Sequence, residues 1–215
     1  MKANSFCFHL VNSVKMVFIR GGVMEQNSKN NPLLGCFEIS IFMKTGVNHF
    51  DDDLRSMINS FGIVLLNFAF MWLTVPFMYE FKQDFYSQGP GFIALVFAIK
   101  FFLIIPILLL FAFFFCRIVK RQHKFVKYVT ASNWLSLVPL VLFVPFFLMM
   151  QFGPTTYGDI EPFIIVISVY SYVLTAFMTR YVVDIPWELA VFMTVCALAI
   201  NEASFSLFHE FLNYG

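Results

Sequence analysis

Two charged residues, Lys100 and Glu202, interrupt long apolar stretches of this chain. Lys100 lies within the run Gly91–Cys116, and Glu202 lies beside Asn201 in the last apolar run. A charge in the middle of a bilayer costs about 2.5–3.5 kcal/mol on insertion scales, so each of these groups needs a partner or water. When residues are counted along each helix from its own end, the two charges lie at a similar depth in the membrane. We predict that Lys100 and Glu202 pair inside the membrane, with Asn201 assisting.

Such a pair has two interpretations, and a third concerns Lys100 alone. The pair either holds two helices together or forms part of a polar pathway for an ion or a proton. Alternatively, the second span begins near Ile99, and Lys100 extends its ammonium towards water at the outer surface. The sequence leaves these three interpretations open.

Patterns typical of enzymes are absent from the sequence. It contains no H-E-x-x-H, no G-x-S-x-G and no glycine-rich phosphate loop, and its four histidines are scattered. The four cysteines form neither a C-x-x-C pair nor a cluster with histidine. We therefore predict no enzymatic activity, no catalytic residue, no metal site and no cofactor.

The elements that carry these charges are membrane-spanning helices. The chain is 60% apolar and only 13% charged, whereas soluble domains average about 25% charged residues. The 26 residues of Gly91–Cys116 would reach ~39 Å as a helix, more than the ~30 Å hydrocarbon core of a bilayer. We predict an all-α integral membrane protein with a domain at 60–208, whose five transmembrane helices cover about 60–79, 91–116, 134–152, 163–183 and 189–208.

The segments around this domain are more polar. Residues 1–31 are predicted to be a flexible cytoplasmic segment, with Met24 as an alternative start to Met1, and residues 209–215 a short tail. Residues 32–59 are predicted to be an amphipathic segment, either interfacial among the lipid headgroups or capping the bundle. Within it, Asp51–Asp53 suit a helix N-terminus. Ser60, Asn67 and Thr74 recur every seven residues, which predicts a polar face in contact with other helices.

A basic loop follows the second span and predicts the orientation of the chain. Positive residues concentrate on cytoplasmic sides, so the N-terminus is predicted inside and the C-terminus outside, in a bacterial inner membrane. The same loop either binds anionic lipid headgroups or acts only as a topology signal. Apart from its charge, nothing in the loop indicates binding of nucleic acid. Its basic residues are Arg117, Lys120, Arg121, Lys124 and Lys127.

Three stretches resemble the Yip1-like group of small multipass membrane proteins. They are FDDDLRSMINSF at Phe50–Phe61, FVKYVTASNWLSLVP at Phe125–Pro139, and DFYSQGP at Asp84–Pro90. The last is similar to the Asp-x-Tyr-Gly-Pro motif of that group, although it precedes the second span here and the first span in the family. The resemblance implies a five-span membrane domain and, for eukaryotic members, trafficking roles with small GTPases. Nothing in this sequence identifies a GTPase-binding surface.

Function is predicted only in outline. We expect a membrane-organising or complex-assembly component, embedded in the lipid bilayer, that works with a protein partner or as a homo-oligomer. The alternative is a small transporter or channel that uses Lys100 and Glu202. Against the alternative, the sequence has no inverted repeat and only one candidate charged pair.

Overall fold

The computed structural model describes residues 31–81, 90–153 and 157–214, and within these ranges the chain forms helices and turns without a strand. The predictions for residues 1–30 and 84–89 lie outside the described residues. Two 3-10 helices cover Lys44–His49 and Gln122–Lys124. The α-helices are α1 Pro32–Ser40, α2 Leu54–Phe81, α3 Pro90–Ile118, α4 Phe125–Leu135, α5 Leu137–Phe152, α6 Tyr157–Val183 and α7 Trp187–Tyr214.

Within the described residues, five stretches are long and apolar enough to cross a membrane, which confirms the predicted fold class. They cover Leu54–Thr74, Ala94–Ile118, Gln122–Phe152, Gly158–Val183 and Trp187–Ser204, with mean hydropathies between 1.2 and 2.8. The third begins well before the predicted boundary at residue 134, because Phe125–Leu135 already forms a helix whose Tyr128, Val129 and Ala131 are buried. The basic loop is correspondingly shorter than the sequence suggested.

The third span is divided at Ser136, between α4 and α5. Pro139 follows three residues later and lacks the N–H that would donate to the carbonyl of Leu135. Its ring also crowds that carbonyl, so the regular ladder is interrupted there. The Ser136 hydroxyl at this interruption donates to the Asn133 carbonyl of α4 and also accepts a hydrogen bond from α2.

The five spans are arranged as a ring. Helix α2 packs against α3, α3 against α7, and α7 against α6; α6 then packs against α4 and α5, and α4 returns to α2. Helix α1 and the 3-10 helix Lys44–His49 pack on each other and against α4, α5 and α6. Each span is therefore supported on two sides by other helices.

The shared apolar core lies at one end of this ring. Leu174 is among the core residues farthest from that end, nine residues before Val183 and hence ~14 Å from the end of α6. This is the end where α3 and α6 finish and where α4 and α7 begin. We call it the core end; its buried residues include Cys36, Ile39, Val47, Phe50, Ala112, Phe115, Tyr128, Leu135, Leu174, Met178, Val182 and Met193.

The polar face predicted on α2 does contact a neighbouring helix. The Asn67 amide donates to the Ser136 hydroxyl at 2.7 Å, and the Asn133 amide donates to the Ser60 hydroxyl at 2.9 Å. Thr74 is buried but bonds the Met71 carbonyl of its own helix. The prediction is confirmed for Ser60 and Asn67, which join α2 to α4 and to the Ser136 break.

The aspartates before α2 act as predicted at a helix N-terminus. The Ser56 N–H donates to Asp53 Oδ1 at 3.0 Å, and the Ser56 hydroxyl donates to Asp51 at 3.2 Å. Hydrogen bonds from Ser56 lower the pKa of the Asp53 carboxyl below its ordinary value. The first turn of α2 is thus capped by a carboxylate at the core end.

Candidate functional site

Lys100 lies within one uninterrupted helix. Helix α3 runs from Pro90 to Ile118, and its stretch Ala94–Ile118 is long and apolar enough to cross a membrane. Lys100 is half-buried and lies 18 residues, or ~27 Å, from the Ile118 end. Lys100 takes part in at least one interaction with another residue.

Glu202 is an exposed carboxylate on α7. It lies 15 residues after Trp187, hence ~22 Å from the core end, and still inside the apolar stretch Trp187–Ser204. At 100° per residue it shares a side of α7 with Val191 and Val195, both of which are exposed. This is the side of the helix that lacks cover within the described chain.

Lys100 and Glu202 lie on two neighbouring helices, α3 and α7. These two helices pack together, and the charge of Glu202 acts on the Lys100 ammonium. Their separation along the bundle, ~27 Å against ~22 Å from the core end, is short enough for a long lysine side chain to bridge. The pairing of Lys100 with Glu202 stays a prediction.

Tyr172 adds a third helix to this region, which sequence reasoning missed. It lies on α6, is 38% exposed, and is close enough for the Glu202 charge to act on its hydroxyl. The sequence predicts Tyr172 as part of a polar stripe on the fourth span, but nothing in its spacing relates it to residue 202. The region of Lys100, Tyr172 and Glu202 is called the charged site below.

Asn201 faces a different direction from Glu202. Adjacent residues on a helix point ~100° apart, and Asn201 shares the face of Thr194, seven residues earlier, which is buried. Asn201 itself is half-buried. Its predicted assistance to the pair stays a prediction, and its position suits contact with the bundle interior.

The basic loop is partly neutralised by acidic residues at the core end. Arg121 donates to Asp184 at 3.1 Å, and Arg180 lies 4.0 Å from the same carboxylate. The charges of Asp51 and Asp52 act on Lys127. Arg117 and Lys120 are exposed, and Lys124 is half-buried.

The role of Asp184 was not recognised in the sequence. It occupies the turn between α6 and α7 with φ at 59°, a left-handed conformation that Asp tolerates better than most residues. Its carboxylate ties this turn to the loop between α3 and α4. The neighbouring Pro186 was a turn signal, but the partner of Asp184 lies 63 positions away in the sequence.

Within the described part of the chain, no three His, Cys, Asp or Glu side chains lie together as a metal-binding group. Comparison of the chain with known protein families, with characterised proteins and with solved structures finds no match. The resemblance to the Yip1-like group therefore stays a prediction.

Proposed function

We propose that this multipass membrane protein is a non-enzymatic assembly component, which binds a second membrane-embedded helix over its charged site. The observation that carries the proposal is the exposure of Glu202 inside an apolar span. A carboxylate facing lipid at that depth is costly, and intramembrane charges nearly always face protein or water. A partner helix with a hydrogen-bond donor would cover Glu202 and the exposed Val191 and Val195 beside it.

The partner is another membrane protein or a second copy of this chain. Interhelical contacts in lipid rely on close packing and on polar groups, since lipid tails are as apolar as the helices themselves. The uncovered side of α7 offers both, because exposed Ala199 and Ala203 flank Glu202 and allow close backbone approach. The predicted localisation, a bacterial inner membrane with the core end in the cytoplasm, is part of the same proposal.

Charge distribution supports this orientation. Of the 14 positive residues, Lys82 would lie outside and Lys100 within the membrane, which leaves 12 for the cytoplasmic side. The exposed Arg117 and Lys120 at the core end would then face the anionic headgroups of the inner leaflet, at about 1 kcal/mol for each charge near the surface.

Purification in native-lipid discs tests the assembly. Tagged wild-type protein is isolated with its lipid, and its mass and bound proteins are determined by mass spectrometry. We expect a stoichiometric second copy or partner that is lost when Glu202→Leu removes the carboxylate. The matched control is Glu188→Leu, because Glu188 is an exposed carboxylate in the first turn of the same helix. A monomer without bound protein in both wild type and Glu202→Leu would contradict the proposal.

A transporter or channel is the second candidate, and it would use Lys100 and Glu202, whose helices α3 and α7 pack together. Reconstituted protein should then carry ion or proton flux that is lost in Lys100→Met and Glu202→Gln. Flux from a monomeric preparation would favour transport over assembly.

A further inference from the structure

Helix α1 and the 3-10 helix Lys44–His49 form a tight hairpin, called the N-terminal hairpin. Gly35 and Gly46 face each other across it so closely that a Cβ on Gly35 would lie 2.9 Å from the Gly46 carbonyl oxygen. The Glu38 carboxylate accepts from the Thr45 hydroxyl at 2.7 Å and lies 3.6 Å from His49. Glu38, Thr45 and His49 thus interact within the hairpin, whereas Lys44 and Asn48 of its second arm are exposed.

We infer that this hairpin is inserted into the hydrocarbon core of one leaflet, as a re-entrant element whose outer face contacts lipid acyl chains. This goes beyond the proposed function and rests on different residues. It also differs from the expectation of a helix among the headgroups.

Contacts with α6 show how deep the turn of the hairpin reaches. The Tyr170 hydroxyl donates to the Ser40 carbonyl, and the Phe42 ring packs edge-on against Tyr170 and Phe177. Tyr170 lies 13 residues before Val183, hence ~20 Å from the core end of α6. The 27 residues of α6 reach ~40 Å, so each end extends ~5 Å beyond a ~30 Å core if the helix is centred. Phe177 lies six residues before Val183, ~9 Å from the same end, so the turn lies ~4–15 Å inside the hydrocarbon, within one leaflet.

A second contact gives the same depth. Helix α1 packs against α5 as well as α4. Helix α5 begins at Leu137, 12 residues after the first residue of α4, so this contact lies ~18 Å or more from the core end. The nine residues of α1 are ~14 Å long, enough to lead from a headgroup region to that depth.

The backbone polar groups of the turn are hydrogen-bonded within the protein, as an apolar surrounding requires. Exposed irregular backbone does not occur in hydrocarbon unless its polar groups are bonded. The N–H groups of Ile41, Phe42 and Met43 donate to carbonyls of Glu38 and Ile39 at 2.8–3.3 Å. The Ser40 hydroxyl donates to the Phe37 carbonyl at 2.7 Å, while Tyr170 covers the Ser40 carbonyl.

The exposed face of α1 and of the turn is apolar, whereas the second arm exposes Lys44, Thr45 and Asn48. An interfacial helix exposes a polar face to water, whereas Leu33 and Phe37 of α1 are each 60% exposed. Ile41, Phe42 and Met43 in the turn are also exposed, at 44–52%. At the depth deduced from Tyr170, this face would contact lipid acyl chains.

Spin labelling measures this depth directly. In a background with Cys7, Cys36, Cys116 and Cys196 replaced by alanine, nitroxides are attached at Phe37→Cys and Ile41→Cys in liposomes. Collision with oxygen, which concentrates in the bilayer, is compared with collision with a water-soluble nickel chelate. Val169→Cys, exposed on α6 at ~21 Å from the core end, is the mid-membrane reference. Ile118→Cys, 78% exposed at the end of α3, is the surface reference.

We expect both hairpin labels to resemble Val169→Cys, with high oxygen and low nickel accessibility. Nickel accessibility like that of Ile118→Cys would overturn the inference, because the hairpin would lie in water or among headgroups. Low accessibility to both reagents would overturn it as well, since protein and not lipid would then cover the face. Met43→Cys repeats the measurement on the other side of the turn if a variant does not fold like the cysteine-free parent.

Discussion

The Asn67 amide donates to the Ser136 hydroxyl at 2.7 Å and joins α2 to the point where the third span is interrupted. The same amide also donates to the Ile63 carbonyl of its own helix at 3.1 Å. Ser136 in turn donates to the Asn133 carbonyl at 2.6 Å. The bond therefore closes a polar chain between two helices that pack mainly through apolar side chains.

Replacing Asn67 with alanine is expected to destabilise the protein by about 0.5–2 kcal/mol, the range found for interhelical hydrogen bonds in membranes. The double variant with Ser136→Ala should cost less than the sum of the single variants, because both remove the same bond. Unfolding in mixed micelles measures the three free energies. Ser171→Ala is the control, since Ser171 donates to Ile167 of its own helix. Additive effects of Asn67→Ala and Ser136→Ala would contradict the prediction.

Lys100→Met and Glu202→Gln are expected to be coupled. If the two groups stabilise each other in the membrane, removing either leaves the other charge less well compensated, and the second substitution then costs less than the first. We expect a coupling free energy of about 1 kcal/mol or more from the double-mutant cycle. The cycle of Lys100→Met with Glu188→Gln is the control, because Glu188 lies at the opposite end of α7. Independent effects for both pairs would exclude the pairing.

Gly35→Ala is expected to destabilise the N-terminal hairpin. The new Cβ would lie 2.9 Å from both the Gly46 oxygen and the Phe50 ring, so the two arms must separate. Overpacking of this kind costs typically about 1–3 kcal/mol. Gly62→Ala is the matched control, because its Cβ would meet nothing within 4 Å and alanine favours the interior of a helix. Thermal unfolding of the two variants should shift in opposite directions.

Asp184 is expected to tolerate glycine better than valine. Both substitutions remove the contacts with Arg121 and Arg180, which are exposed and worth about 0.2–1 kcal/mol. Only valine adds the strain of a branched side chain at φ 59°, of about 1–2 kcal/mol. Melting temperatures of the two variants at low and high salt separate the contribution of the arginine contacts from that of the backbone strain. Equal losses for glycine and valine would show that the left-handed conformation is unimportant for stability.

Asp53 is expected to make the start of α2 sensitive to acid. Its pKa is lower in the folded state than in the unfolded chain, so its stabilising effect is present above the unfolded value and is lost as pH falls through the folded value. The protection factor of the Ser56 amide, its intrinsic exchange rate divided by its observed rate at the same pH, should therefore fall at acidic pH. Asp53→Asn should lose that pH dependence, because the amide caps without titrating. An unchanged acid response in Asp53→Asn would assign the effect to another carboxyl.

The sequence by itself determined the secondary structure and the number of spans. Apolar runs long enough to cross a bilayer can fold there only as helices, since every backbone polar group must be bonded within the segment. It also determined the N-terminus of α2, because Asp51–Asp53 act on amides only a few residues away. The heptad spacing of Ser60 and Asn67 was enough to identify a contacting face, although not the helix it contacts.

Only the tertiary structure decided which distant residues meet. Asp184 and Arg121 are 63 positions apart, and Ser40 and Tyr170 are 130 apart, so no local pattern relates them. Tyr172 joined Lys100 and Glu202 because α7 packs between α3 and α6. Helix packing selects such neighbours through shape and small residues spread along the whole surface of a helix, which a single sequence does not reveal. The depth of the N-terminal hairpin was hidden for the same reason: its place depends on α5 and α6, and its own residues show only that it is apolar.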